Sequence, residues 1–153
     1  MAKSDCIFCQ IVSADSPSHQ VWEDDHYLAF LSIFPNTEGV TVVIPKAHTP
    51  SYIFDNDLPV ITGLTAAAKT VAHKIDTTFD DVGRTGVVFE GFGVDHLHAK
   101  LFPLHATKSD EWQQRTSSVD KYFDHYEGYV SSHDFTRADD VQLADLAKRL
   151  RDA

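Results

Sequence analysis

The chain has 153 residues, 42% of them hydrophobic and 24% charged, proportions that suit one globular domain with a proper core. Its formal net charge of −10 repels nucleic-acid backbones and anionic membrane surfaces, so any phosphate ligand needs a local site of its own. No basic patch interleaved with aromatics occurs, no run reaches the roughly 20 apolar residues that span a bilayer, and the N-terminal residues lack an apolar signal core; neither nucleic acid nor membrane is an expected partner, and a cytoplasmic location is expected.

In chain order, the sequence opens with its only cysteines, Cys6 and Cys9. Two residues between them, in a reducing compartment, suggest metal binding or redox work before a structural disulfide. Val21 to Leu31 reads as two short strands turning at Glu23-Asp24-Asp25. Val40-Thr-Val-Val-Ile44 is a β-branched run closed by Pro45, the pattern of a buried strand. Asp57 offers a helix cap with Pro59 in the first turn, and Ile61, Leu64, Ala68, Val71, Ile75 and Phe79 then recur at three- and four-residue steps. That spacing predicts one long amphipathic helix.

Thr85 to Phe89 forms a further strand, Glu90-Gly-Phe-Gly93 a glycine loop, and Asp95 to Phe102 a last strand. The expected architecture is therefore α+β, an antiparallel five-stranded meander with one long helix across it. Beyond His105 the chain turns polar and aromatic without a clear period. A terminal helix is predicted with Thr136 as cap and Leu143, Ala147 and Leu150 on its apolar side. Residues 1–105 are expected to form the domain, and 106–153 an extension packed on it.

Two sets of residues carry chemistry. Cys6, Cys9, His48 and His96 form a Cys2His2 donor set that would close a tetrahedral zinc site and leave no open position, making the metal structural. A redox pair is the rival reading of Cys6 and Cys9, but no βαβ pattern surrounds them. The second set is Asp95-His-Leu-His-Ala-Lys100. Strand alternation puts His96, His98 and Lys100 on one face and Asp95, Leu97 and Ala99 on the other. A solvated face is the plain reading; the sharper one is a nucleophile flanked by cationic donors, as phosphoryl-type transfer requires. His125, Tyr126, Tyr129, His133, Asp134 and Arg137 read first as packing and surface residues, with a contribution to a substrate site as the alternative. His19, His26 and His73 read as surface or satisfied core residues.

Cys6-Ile-Phe-Cys9, Ala29-Phe-Leu-Ser-Ile33, Val42-Val-Ile-Pro-Lys-Ala-His48 and His96-Leu-His98 occur in the order and rough spacing of the histidine triad (HIT) family, which the chain resembles over about residues 5–105. The resemblance implies a hydrolase or nucleotidyltransferase acting on nucleotide phosphates, with His98 as the residue that attacks phosphorus. It implies zinc on Cys6, Cys9, His48 and His96, and a homodimer whose sheets join. Three positions depart from the family pattern. Lys100 stands where the third histidine is expected; lysine can stabilise phosphate charge, but its reference pKa near 10.4 makes it a poor proton donor. Ser32 stands at the ribose-binding acid, and the phosphate-gripping loop is reduced to Phe89-Glu-Gly-Phe-Gly-Val94. Ser32, Gly93 and Val94 are the expected substrate contacts. The alternative is a HIT-fold protein that binds a nucleotide or another anion without turnover.

Overall fold

A computed structural model describes residues 5–126 and 133–153. In chain order the elements are α1 (Ile7–Val12), β1 (Gln20–Glu23), β2 (Tyr27–Leu31), β3 (Thr41–Pro45), a 3-10 turn (Ile53–Asp55), α2 (Leu58–Thr78), β4 (Thr85–Val88), β5 (Ala99–Pro103) and α3 (Asp140–Asp152). The strands form one antiparallel sheet in the order β1-β2-β3-β5-β4. The predicted five-stranded antiparallel sheet and its long helix are both present, with β5 inserted between β3 and β4.

The two-residue period of the strands sorts side chains between two cores. Ala29, Leu31, Val43, Ala99 and Leu101 pack with Leu64, Ala67, Ala68, Val71 and Ile75 of α2. Leu28, Phe30, Val42 and Ile44 point the other way and pack with Cys6 and Phe8. The central strand β3 is thus buried on both sides, which is why it reads as an uninterrupted apolar run. Helix α2 begins behind Asp57, whose carbonyl accepts from the backbone N–H of Val60 and Ile61 while its carboxylate makes no cap bond. Gly63 lets this helix approach β2: a Cβ there would lie 1.9 Å from the Tyr27 hydroxyl.

Two expectations need correction. The ladder of β5 starts at Ala99, not Asp95, because the hydrogen bonds of the preceding residues go elsewhere. Asp95 accepts from the Ser51 N–H, Leu97 N–H donates to the Thr49 carbonyl, and His96 N–H donates to the Val94 carbonyl. The face alternation still holds, since Leu97 joins the helix-side core while His96 and His98 lie opposite, against Phe8. The terminal helix is capped by Asp139, not Thr136. The Asp139 carboxylate accepts from Val141 N–H at 3.1 Å and Gln142 N–H at 3.0 Å, the bond pattern of an acidic N-cap.

Helix α3 is not peripheral. Leu143, Leu146, Ala147 and Leu150 belong to the same buried cluster as α2. Lys74 of α2 donates to the carbonyls of Arg151 and Ala153, satisfying acceptors at the helix end. Before α3 the chain is pinned to the segment after β2, where Ala138 N–H donates to the Ile33 carbonyl at 2.8 Å and Phe135 N–H to the Phe34 carbonyl at 3.3 Å. Leu150→Ala should therefore destabilise the protein by about 2–5 kcal/mol, the range for a fully enclosed leucine. Denaturant unfolding followed by far-UV circular dichroism reads this; a change below about 1 kcal/mol would place α3 outside the cooperative core.

Candidate functional site

On the face of the sheet opposite α2, α1 brings its one turn against the histidines. Cys6 is the residue that precedes α1 and Cys9 lies three further on, a spacing that puts both thiols on one side of a helical turn. They meet His48 from the loop after β3 and His96 from the loop before β5. The four donor atoms all lie within 4.8 Å of one another.

The separations are specific. Cys6 Sγ and Cys9 Sγ stand 3.5 and 3.6 Å from His96 Nδ1, Cys9 Sγ stands 3.3 Å from His48 Nδ1, and the two Nδ1 atoms are 3.3 Å apart. A tetrahedral ion with metal–nitrogen bonds of about 2.0–2.1 Å and metal–sulfur bonds of about 2.3 Å has N···N edges of about 3.3 Å and S···N edges of about 3.6 Å. His96 Nε2 donates to the Pro45 carbonyl at 2.8 Å, so its Nδ1 lone pair is left facing the cluster. A second hydrogen bond of this kind fixes the tautomer of metal-binding histidines. Burial, opposed by that carbonyl, holds the His96 imidazole below its ordinary pKa and so in the neutral, ligating form. These four residues could hold a metal ion.

His98 continues the same face and is 3% exposed. Its Nδ1 donates to the His96 carbonyl at 2.8 Å, which leaves Nε2 as the nitrogen with a lone pair. Burial is the main cause of a lowered His98 pKa; the carbonyl bond opposes it, Lys100 adds to it, and Glu90 opposes it. The ring edges of Phe8 hold both imidazoles, with centroids 5.8 Å from His96 and 5.5 Å from His98. An uncharged imidazole with one nitrogen anchored and the other unanchored is a competent nucleophile.

His98 and Lys100 line a cleft of about 790 Å³. Ile7, Phe8, Ile11, Phe30 and Val42 give it an apolar wall, and Ser32, Gly93 and Val94 line it as well. Ser32 Oγ accepts from the Phe34 N–H at 3.2 Å. Gly93 has φ +90°, a backbone state that glycine adopts without strain, so this loop can bring its backbone to the cleft. Phe92 lines the same space and stacks on Tyr126 with centroids 5.7 Å apart.

The C-terminal segment contributes lining residues as well. Asp134, Arg137 and Asp140 enter from the segment around the start of α3. Arg137 grips Asp140 at 3.0 and 3.1 Å, and Asp140 also accepts from His19 Nε2 at 2.9 Å. His19, which reads in sequence as a surface or satisfied core residue, is satisfied by Asp140 and lines the cleft; the fold of a distant segment brings its partner. Lys100 Nζ lies 3.4 Å from Glu90 Oε1 and 3.8 Å from Asp134 Oδ1. Of the tail residues singled out in sequence, Tyr126, Asp134 and Arg137 reach this region, and Tyr129 lies outside the described residues. Among the described residues no helix is long and apolar enough to cross a membrane.

An α+β sheet with two histidines presented before its fourth strand in spatial order defines a HIT-type domain. The model of the HIT domain matches residues 13–107, and the chain belongs to this family. An uncharacterised HIT-like protein of Borreliella burgdorferi is 53% identical over 112 residues, covering 69% of this chain and 78% of its own. An adenosine 5'-monophosphoramidase of Saccharomyces cerevisiae is 32% identical over 123 residues, 76% of this chain and 75% of its own. The crystal structure of a zinc-bound histidine triad family protein from Mycobacterium smegmatis superposes with a TM-score of 0.69 over 99% of this chain and 94% of that one, at 24% identity. That likeness extends to the C-terminal segment, beyond the matched family domain.

Proposed function

We propose that the protein is a nucleotide phosphate or phosphoramidate hydrolase, or a nucleotidyltransferase, working through a nucleotidyl-histidine intermediate on His98. The observation that carries this is the His98 geometry: Nδ1 bound to the His96 carbonyl, burial that keeps the ring neutral, and Nε2 left for a cleft with an apolar wall. The similarity to the yeast adenosine 5'-monophosphoramidase is in keeping with it. In the proposed reaction the Nε2 lone pair forms a bond to the α-phosphorus as the bond from phosphorus to the leaving group breaks. Water or another acceptor then attacks the same phosphorus, the P–N bond to His98 breaks, and the nucleotidyl group leaves with the acceptor. Lys100, at the third triad position, stabilises charge on the phosphate oxygens. Ser32, Gly93 and Val94 contact the nucleotide.

Cys6, Cys9, His48 and His96 would hold zinc, which four protein donors make structural. It would tie α1 to the sheet and supply no chemistry to the reaction. We take residues 1–105 as the HIT-like part and 106–153 as an extension of the same domain, in a cytoplasmic homodimer. The dimer reading is supported by β4, an edge of the sheet among the described residues, whose Val87 is 50% exposed. Such an edge is a ready site for pairing with a second copy.

Three measurements test these statements. Purified protein should contain about one zinc per chain, and Cys9→Ala should lower both metal content and the thermal midpoint, because a structural zinc contributes folding free energy directly; metal-free protein of equal stability would overturn the zinc assignment. His98→Ala should reduce turnover of nucleotidyl phosphoramidates by roughly a thousandfold or more. Acid-labile labelling of His98 in the wild type should accompany turnover, and binding without any labelled His98 would instead support a non-catalytic nucleotide-binding protein. Sedimentation at micromolar concentration should report a two-chain species, against which a clean monomer would count.

A further inference from the structure

Lys100 does not face the cleft as an isolated cation. Its Nζ lies between Glu90, which comes from the glycine loop after β4, and Asp134, which comes from the segment before α3. The Lys100 and Glu90 side chains are 17% and 12% exposed, so their mutual pairing is little screened, whereas Asp134 is 66% exposed and its charge reaches into the cleft mouth. Arg137 and Asp140 line the cleft too, but they neutralise one another through the paired contacts described above. Among the described residues, Lys100 and Asp134 line this end of the cleft and Glu90 pairs with Lys100 without lining it, so one ammonium stands against two carboxylates there, in a chain whose net charge is already −10.

The apolar wall of Ile7, Phe8, Ile11, Phe30 and Val42 suits the flat, weakly polar face of a nucleobase. With the base there and phosphorus at His98, the polar side around Lys100 is left to the other substituent on phosphorus. That substituent is the leaving group. Each carboxylate at a few ångströms penalises an added negative charge and favours a positive one, and the effect weakens with salt.

We propose that Glu90 and Asp134 are specificity-determining residues, framing Lys100 so that the cleft accepts nucleotides with neutral or cationic leaving groups and rejects those whose leaving group is a polyanion. Lys100 supplies one positive charge to the reacting phosphate, and the two carboxylates set the sign of the field beyond it. The inference rests on the nucleotidyl-histidine reading for its orientation of the substrate. The two can nevertheless be separated by experiment.

The probes are three adenosine 5'-monophosphate aryl esters whose phenols carry a para-aminomethyl, para-ethyl or para-carboxymethyl group. The methylene spacer keeps the acidity of the phenol nearly constant while the distal charge runs from positive through zero to negative. Wild type should turn them over in the order ammonium, neutral, carboxylate, with roughly three- to tenfold steps in kcat/KM that shrink at high salt. Asp134→Asn, at an exposed position that folding tolerates, should compress the series, and Glu90→Gln/Asp134→Asn should flatten or invert it. Binding of the three esters to His98→Ala reads the same order without chemistry. Turnover by the wild type with no dependence on the distal charge, or a series unchanged in the double variant, would overturn the charge frame alone. A charge-ordered binding series with no turnover in the wild type would overturn the nucleotidyl-histidine reading and leave the charge frame standing. Absence of both turnover and charge-ordered binding would overturn both.

Discussion

His96 is fully buried, and a buried imidazole has to find partners for both of its nitrogens and for its backbone. How it does so organises this side of the molecule. Nε2 is taken by the carbonyl that ends β3, which locks the loop before β5 to the central strand. Nδ1 is thereby turned toward Cys6, Cys9 and His48, drawing the N-terminal turn and the loop after β3 to a single point. The His96 carbonyl then anchors His98. One residue thus fixes the metal-type cluster on one side and the tautomer of the candidate nucleophile on the other.

The sheet supplies the rigidity that this arrangement needs. Because α2 and α3 cover one face and α1 the other, neither face of β3 is left to solvent. Residues 96–98 lie outside the strand ladder, yet they keep its alternation, since Leu97 is held in the helix-side core while the histidines on either side point away. Leu97 sets the direction of both imidazoles by being apolar and enclosed. Polar groups placed this way gain orientation from packing on the opposite face.

Features with a period or a donor set were legible in the sequence. The stripe from Ile61 to Phe79 marks α2 because it repeats once per helical turn. The run at 40–44 marks β3 because a strand buried on both sides needs no polar positions. Cys6, Cys9, His48 and His96 stand out because their side chains share one coordination chemistry. What was not legible depends on competition among partners. The six-residue α1 is too short to declare itself by propensity and is held by Phe8 and the two thiols. The start of β5 was misplaced because the loop at 49–51 captures hydrogen bonds that the pattern assigned to the ladder. Thr136 and Asp139 are both good caps in isolation, and only the observed bonds to Val141 and Gln142 decide between them. His19 and Asp140 are far apart in sequence, so their meeting in the cleft had no local signal.

The shortness of α1 has a thermodynamic consequence. This single turn carries Cys9 toward the donor cluster, Phe8 against His98, and Ile7 and Ile11 into the cleft wall. An ion held by the cysteines and a molecule resting on the isoleucines would therefore bear on the same short segment. Any coupling between them would be reciprocal: whatever factor the ion added to the affinity of the molecule, the molecule would add to that of the ion.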